Sequence, residues 1–226
     1  MTSILFAGDP HGNFEPINSA AAGKPDAIIL LGDYDLELPL HEAVKPTIDA
    51  GVPIWWIHGN HDSDRERWHD NLFNSGLREF SLHGRVVEIA GIRIAGLGGI
   101  FREEIWHPKL LHGQPVFRSP EELAALTSVT GAPGAVREGI PIRHRTSIFW
   151  SDYERLWDQS ADILVLHDAP ESHRHGFPEL GDLAKAMGVR LIVHGHHHEA
   201  YTGRTAGNIE VMGVNRETVV GLPGGC

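Results

Sequence analysis

Cysteine is almost missing from this chain: the one present is Cys226, the last residue. An internal disulfide framework is therefore excluded, and so is any metal site built on several thiolates. A reducing compartment fits that usage, and a cytoplasmic protein is the expectation. Basic residues are also few, 19 Lys and Arg against 30 Asp and Glu, for a formal net charge of −11. Such a balance disfavours a nucleic-acid partner and a surface that coats anionic membrane. No apolar run approaches the ~18 residues needed to span a bilayer. The start, Met1 to Ala7, has neither a basic lead nor a cleavage pattern and reads as a first strand, not a leader. Internal repeats and linkers are not apparent.

What is present is enough apolar material for a core, 41% of 226 residues, so one domain spanning 1–226 is expected. Twenty-six glycines and fourteen prolines are scattered along the chain, which favours many short elements joined by tight turns over a long-helix bundle. Sixteen histidines is the unusual count, and their densest cluster, His194 to His198, is internal and directly follows an apolar run, unlike an expression tag.

Five short apolar runs each end in residues able to bind a cation. They are Ile4 to Ala7 before Gly8-Asp9, Ala27 to Leu31 before Gly32-Asp33, Val52 to Ile57 before His58-Gly59-Asn60-His61, Ile163 to Leu166 before His167, and Val189 to Val193 before His194-Gly195-His196. Runs of this length without polar alternation predict strands buried on both faces. Helix signals lie between them: Pro39 to Ala50, Asp64 to Asn74, capping boxes at Ser119 to Glu122 and Ser151 to Glu154, and Pro178 to Met187 ahead of Gly188. Two further stretches predict antiparallel hairpins, Arg85 to Gly96 around Ala90-Gly91, and Asn208 to Val220 around Val214-Asn215-Arg216. The expectation is an α/β protein with mixed sheet. Residues 101–149 are the least regular part, with Pro108, Pro115, Pro133 and Pro141 and one clear helix, and are expected to form a lid or cap.

Ligands of parallel sheets collect outside the carboxyl ends of the strands. Taken singly, Asp9 or Asp33 could cap a helix, Asn60 could sit in a turn, and any one histidine could be a hydrogen-bonded core residue. Five such residues at one edge are harder to assign to packing. Carboxylate and imidazole without thiolate suit divalent Mn, Fe, Zn or Mg, with manganese placed first. A pair of such ions could activate water and clamp the attacking and leaving oxygens of phosphoester hydrolysis. Asp9 and His11 are two apart, as are His196 and His198, so in extended backbone each pair would share one face, with Pro10 favouring that conformation at Asp9. His197 would then point the other way, and His194 would be packing or a residue behind the ligands. Gly8, Gly32, Gly59 and Gly195 would let backbone approach the site. Gly96-Leu97-Gly98-Gly99 has neither P-loop nor dinucleotide spacing and reads as a strand end. Trp55, Trp56, Trp106, Phe117, Phe149 and Trp150 are either core or the lining of a pocket.

In order, Asp9-Pro10-His11-Gly12-Asn13, Gly32-Asp33, Gly59-Asn60-His61-Asp62, His167 and Gly195-His196-His197-His198 resemble the motifs of the calcineurin-like metallophosphoesterases. The resemblance implies a four-layer α-β-β-α sandwich of two mixed sheets flanked by helices. It implies one divalent ion on Asp9, His11 and His198, a second on Asn60, His167 and His196, and Asp33 bridging them. His61 is then the residue that assists the leaving oxygen, a role suited to a group titrating near neutrality. In the phosphoprotein phosphatases the matching histidine pairs with an aspartate three residues after the bridging one. Here Leu36 stands there and Asp35 is one residue early, so Asp35 is kept as a residue behind the ligands, and the chain resembles the small prokaryotic-type phosphoesterases more closely.

The function so implied is hydrolysis of a phosphomonoester or phosphodiester by a hydroxide bridging two metals, with a small phosphorylated substrate. Asn13, Arg102, Arg143 and Arg145 are the candidates for holding it, since guanidinium matches phosphate oxygens. A catalytically silent scaffold of the same fold would be expected to lose ligands or His61, and all are here. A metal-dependent nuclease would call for a basic stripe that the composition does not supply. Nothing in the pattern sets how many copies assemble.

Overall fold

The computed structural model describes residues 2–132 and 134–222; Met1, Pro133 and Cys226 lie outside them. Four of the five apolar runs become strands β1 (Ile4–Ala7), β2 (Ala27–Leu30), β8 (Ile163–Leu166) and β9 (Leu191–His194), and the third becomes β3 (Ile54–Trp56). The helices among them are α1 (Glu15–Ala20), α2 (Leu40–Ala43), α3 (Lys45–Asp49), α4 (Glu66–Phe73), α5 (Pro120–Thr130), α6 (Trp150–Trp157) and α7 (Pro178–Ala186). The remaining strands are β4 (Arg85–Ile89), β5 (Ile92–Leu97), β6 (Val136–Arg137), β7 (Ile140–Pro141), β10 (Tyr201–Arg204), β11 (Glu210–Gly213) and β12 (Val219–Gly221).

Two mixed sheets result. One has the order β12-β1-β2-β3, the other β10-β11-β9-β8-β5-β4. β1, β2 and β3 are parallel, pairing Ile4 with Ala27 and Ile28 with Ile54. In the second sheet β5, β8, β9 and β11 are parallel, with Ile94 opposite Ile163 and Leu166 opposite His194.

Period-two alternation sorts each strand's side chains between layers. Ile4, Phe6, Ala27 and Ile29 of the first sheet meet Ile94, Ile163, Val165 and Val193 of the second in one buried cluster. The opposite face of the first sheet, Ile28, Leu30, Ile54 and Trp56, packs on Ile17 of α1, Leu40 of α2 and Leu72 of α4. The outer face of the second, Leu164, Leu166 and Ile192, packs on Leu123 of α5, Leu156 of α6 and Leu180 and Leu183 of α7. Three apolar layers separate four layers of structure, as expected. Each fully buried large aliphatic contributes about 1.5–3 kcal/mol.

Three expectations are corrected. The β4–β5 hairpin forms at Ala90-Gly91, but the predicted hairpin around Val214-Asn215-Arg216 does not. β11 instead pairs with β9 and β10, while β12 crosses to the other sheet and runs antiparallel to β1. The hairpin is β10–β11; beside β1, β12 instead packs Val220 against the inter-sheet cluster and Val219 against the helix-side one. Residues Pro39 to Ala50 form two short helices broken at Val44, with Pro46 in the first turn of the second. The capping box at Ser151 is two residues off: α6 starts after Phe149, and Asp152, at its third position, accepts the Phe149 N–H at 3.4 Å. The Ser119 cap does form, its hydroxyl accepting the Glu122 N–H at 3.4 Å.

Residues 101–149 are irregular apart from α5 and the small β6–β7 ribbon, and they are anchored: Phe101, Ile105, Trp106, Leu123 and Ile140 join the outer core. Arg137 of β6 grips α4, its Nε and Nη2 donating to Asp70 at 2.9 and 2.7 Å and its Nη2 to Glu66 at 2.9 Å. No described helix is long and apolar enough to cross a membrane.

Candidate metal centre

The carboxyl ends of β1, β2 and β3 bring Asp9, His11, Asp33 and Asn60 to one edge, and those of β8 and β9 bring His167, His196 and His198 to the same edge from the second sheet. Two groups form. In the first, His11 Nε2 and His198 Nε2 are 3.2 Å apart and His198 Nε2 is 3.3 Å from Asp9 Oδ2. In the second, His167 Nε2 lies 3.3 Å from Asp33 Oδ2 and 3.1 Å from Asn60 Oδ1, and single ligand atoms of Asp33, His167 and His196 all fall within 4.8 Å of one another. His167 also links the groups, its Nδ1 being 3.9 Å from Asp9 Oδ1. All seven residues proposed from the motifs are thus brought together.

The backbone that does this is not extended. His11, Asp33, His196 and His198 have φ of 41°, 55°, 69° and 53°. The shared-face argument for Asp9 with His11 and for His196 with His198 is therefore replaced by tight left-handed turns. Such conformations cost on the order of 1–3 kcal/mol each in residues with a Cβ and persist where surrounding structure holds them, often at functional sites. Part of the restraint comes from hydrogen bonds: the Asp9 carboxylate accepts the His196 N–H at 2.7 Å, and Asp33 Oδ1 accepts the His61 N–H at 2.8 Å. The rest comes from close packing. A Cβ built on Gly195 would fall 2.4 Å from Asp9 Oδ1, and one on Gly59 2.2 Å from Asp33 Oδ1.

The donor set fits divalent cations on the structure's own terms. Asp9 and Asp33 are buried to 0% and 1% exposure beside four imidazoles, and Asp9 Oδ1 has no hydrogen-bond partner among the described residues. The 3.2 Å between Nε2 of His11 and Nε2 of His198 also lets both nitrogens face one cation. Burial acts to raise the Asp33 carboxyl, but the charge and hydrogen bond of His167 hold it well below the carboxylate range. Burial acts to lower His167, and Asp33 and Asp9 push it up to about 10. Burial, then the charge on His167, pushes His196 down to about 2.

Around this centre lie acids to which the motif reading gave no role. Asp62 is buried and accepts N–H groups from Asp33, Tyr34 and Gly59 at 3.1, 2.8 and 2.7 Å, tying the loop after β2 to the loop after β3. Burial and Asp33 push its carboxyl up to about 8, against the pull of those donors. Asp64 Oδ2 is 2.6 Å from His61 Nδ1, the partner sought in vain near Leu36. The i, i+3 spacing was its only signal. Asp168, next to His167, has a carboxylate oxygen within 4.8 Å of nitrogens of His196 and His197. Asp35 Oδ2 lies 3.1 Å from Nδ1 of His11, one of the candidate ligands. His194 is fully buried and 2.8 Å from the Tyr201 hydroxyl, and His197 stacks on His173 at 3.8 Å.

Of the substrate-binding candidates, Arg102 hydrogen-bonds to a proposed ligand residue. Its Nη2 donates to the Asn60 carbonyl and to Thr146 Oγ1, each at 3.4 Å, and its Nε has no partner among the described residues. Arg143 pairs with Glu104 at 3.1 Å on the surface. Arg145 is engaged elsewhere, with Glu138 at 2.9 Å and over the Phe73 ring. Asn13 donates to Glu217 at 2.7 Å.

A two-sheet α/β sandwich with carboxylates and imidazoles gathered at one strand edge defines a class of metal-dependent phosphoesterases. The profile of the calcineurin-like phosphoesterases matches residues 2–200, and the chain belongs to that family, whose members bind divalent metals and are generally hydrolases. The chain is 44% identical over 203 residues to an uncharacterized protein of Haemophilus influenzae, covering 89% of this chain and 86% of that one. It is 26% identical over 192 residues to the UDP-2,3-diacylglucosamine hydrolase of Klebsiella pneumoniae, covering 78% and 70% of the two chains. Its fold is similar to a Thermus thermophilus crystal structure, with a TM-score of 0.59 at 17% identity over 96% of this chain and 90% of that one.

Proposed function

We propose that this chain hydrolyses a phosphomonoester or phosphodiester at a binuclear centre, with Asp9, His11 and His198 holding one divalent ion, Asn60, His167 and His196 the other, and Asp33 between them. The observation that carries the reading is the split of seven donors into two adjoining groups, one around His198 and Asp9 and one around His167 and Asp33. Manganese is the first choice, with iron, zinc or magnesium suited to the same donors. When bound, such ions would supply Lewis acidity toward phosphoryl oxygens and lower the pKa of water.

The chain's own residues would do the rest. Asp64 fixes His61 through Nδ1 and leaves Nε2 for the proton that the departing alkoxide needs. Burial acts to lower His61, but its hydrogen bond to Asp64 and the charge on Asp33 raise it, which favours the protonated donor. Arg102 would meet a phosphate oxygen with its guanidinium, from its place beside the Asn60 carbonyl. Asp168 would orient His196 as carboxylates behind ligating histidines do, and Asp35 would do the same for His11. Residues 101–149 would form the wall that carries Arg102 and closes one side of the site. The Klebsiella relative is named for a UDP-linked substrate, which supports a phosphate ester or anhydride of a small molecule as the target.

The test is purified protein loaded with manganese and offered an aryl phosphate, a bis-aryl phosphate and a panel of nucleotide-linked esters. Turnover should depend on added metal and vanish in Asp33→Ala with its metal content. Metal-replete wild-type protein that is inert on every ester would sink the proposal.

A further inference from the structure

On the outer helical layer, in a cavity of about 430 Å³ that none of the seven proposed ligands lines, four aromatic side chains form the wall. Trp106 comes from the segment after β5, and Trp150, Tyr153 and Trp157 come from α6. Their rings run on from one another: Trp106 to Trp150 at 5.0 Å, Trp106 to Tyr153 at 5.2 Å and Tyr153 to Trp157 at 5.5 Å between centroids. Trp106 is buried to 1% exposure while Trp157 is 41% exposed, so the cavity opens from a fixed floor to solvent.

The other residues lining it are Glu154, Asp158 and Glu179, and none of the described lining residues is basic. Glu179 Oε2 is buried and has no hydrogen-bond partner among the described residues, although the Glu179 carbonyl accepts the Tyr153 hydroxyl at 3.0 Å. An apolar ligand would leave that carboxylate oxygen unmet, and an anion would be repelled by three carboxylates. Aromatic faces and carboxylates together favour a cation with an apolar shell. The protein's own Arg118 obeys the same logic at the rim, lying 5.4 Å from the Trp150 ring centroid and 3.5 Å from Glu154. Burial, with Asp182 and Glu179, pushes the Tyr153 phenol up, as expected where the local potential is negative.

We propose that this cavity binds a small alkylammonium or quaternary ammonium compound, its cationic head held among Trp106, Tyr153 and Trp157 and its charge met by Glu179. Its size is within the range of small-molecule sites. A metal ion is the poorer fit, since the lining offers rings where a bare cation needs oxygens.

Tryptophan fluorescence reads the site directly, because three of the chain's six tryptophans line it. Full-length protein is titrated with choline, with its neutral isostere 3,3-dimethylbutan-1-ol, and with sodium chloride at matched ionic strength. Saturable quenching by choline alone is expected, weakened about tenfold in the near-isosteric Glu179→Gln and at least as much in Trp157→Ala, whose exposed side chain can be removed without opening the core. Calorimetric titration of the same pair gives the heat independently of the quenching. Equal response to the neutral isostere, no saturable response to choline, or unchanged affinity in a folded Glu179→Gln protein overturns the assignment. Metal loading at the strand edge is not needed for any of these readings, so their failure leaves the phosphoesterase reading untouched.

Discussion

The Asp64 carboxylate lies 2.6 Å from Nδ1 of His61, one turn along the same short helical segment. That contact engages Nδ1 of His61 and leaves Nε2 as the nitrogen not held by Asp64. His61→Gln should lower kcat on a phosphate ester by roughly 10²–10⁴-fold, the usual worth of a positioned proton donor. Asp64→Asn should cost less, about tenfold, by loosening the ring and not removing it. Metal content measured on the same preparations should be unchanged in both; wild-type turnover in metal-replete His61→Gln protein would end the assignment.

Gly195 offers a steric test of the metal centre. A Cβ there would meet Asp9 Oδ1 at 2.4 Å, so Gly195→Ala must displace the carboxylate or the turn that carries His196 and His198. Metal-to-protein ratio after dialysis should fall well below that of wild type, with affinity down on the order of 10–100-fold, the scale of a disturbed ligand shell. Full retention of metal in folded Gly195→Ala protein would show that Asp9 is not a ligand.

Arg102 and Arg143 should separate in kinetics. Arg102 is half sunk beside Asn60, with burial and then Arg143 pulling its guanidinium down from the usual arginine range, while Arg143 is held by Glu104 at the surface. Arg102→Ala should raise KM by about tenfold and leave metal content alone, the loss of one charge-assisted contact. Arg143→Ala should change KM by less than threefold. The reverse order would place the phosphate on the other side of the wall.

The bond from Arg137 to Asp70 predicts a pH dependence. Hydrogen bonding from Arg137 holds the Asp70 carboxyl at about 2, below its ordinary 3.8. A depressed folded-state value means the contribution is present above the ordinary value and is lost as pH falls toward about 2. Asp70 is 37% exposed, so solvent screening limits the pair to under about 1 kcal/mol. The melting temperature of Arg137→Ala should lie a few degrees below wild type from pH 7 to 5, with the gap narrowing at pH 2.5. A gap of constant size down to pH 2.5 would show that the ion pair is not its source.

The layers and the seven clustered donors were legible in the sequence because both are written locally. Ala27 to Leu31 is apolar at every position, so it had to be covered on two sides, and its polar terminus had to emerge at a strand end. What escaped is nonlocal or conformational. The destination of Val219–Gly221 depends on an open edge beside Leu5, more than two hundred residues away. Buried Phe149 takes the cap position read at Ser151, and Asp152 the third position read at Glu154, a shift that only the packed core reveals. The left-handed turns at His11 and His198 were invisible to a reading that assumed regular backbone, since the modest enrichment of histidine at positive φ does not mark a single position. Asp64 and Asp168 differ from other surface-type acids only in what the folded chain sets opposite them.

The donors are drawn from both sheets, four from the loops of β1, β2 and β3 and three from those of β8 and β9. Neither half of the polypeptide can assemble the cage by itself, so a fragment ending ahead of Ile163 would carry Asp33 with no His167 to face it. Ions seated there would act as a clasp across the seam between the two halves, and by mass action any ligand held only by the folded form resists their separation. Ion retention thus becomes a gauge of how firmly the sandwich is shut, and a substitution deep in the seam, at Phe6 or Val165, would register first as a leaking metal.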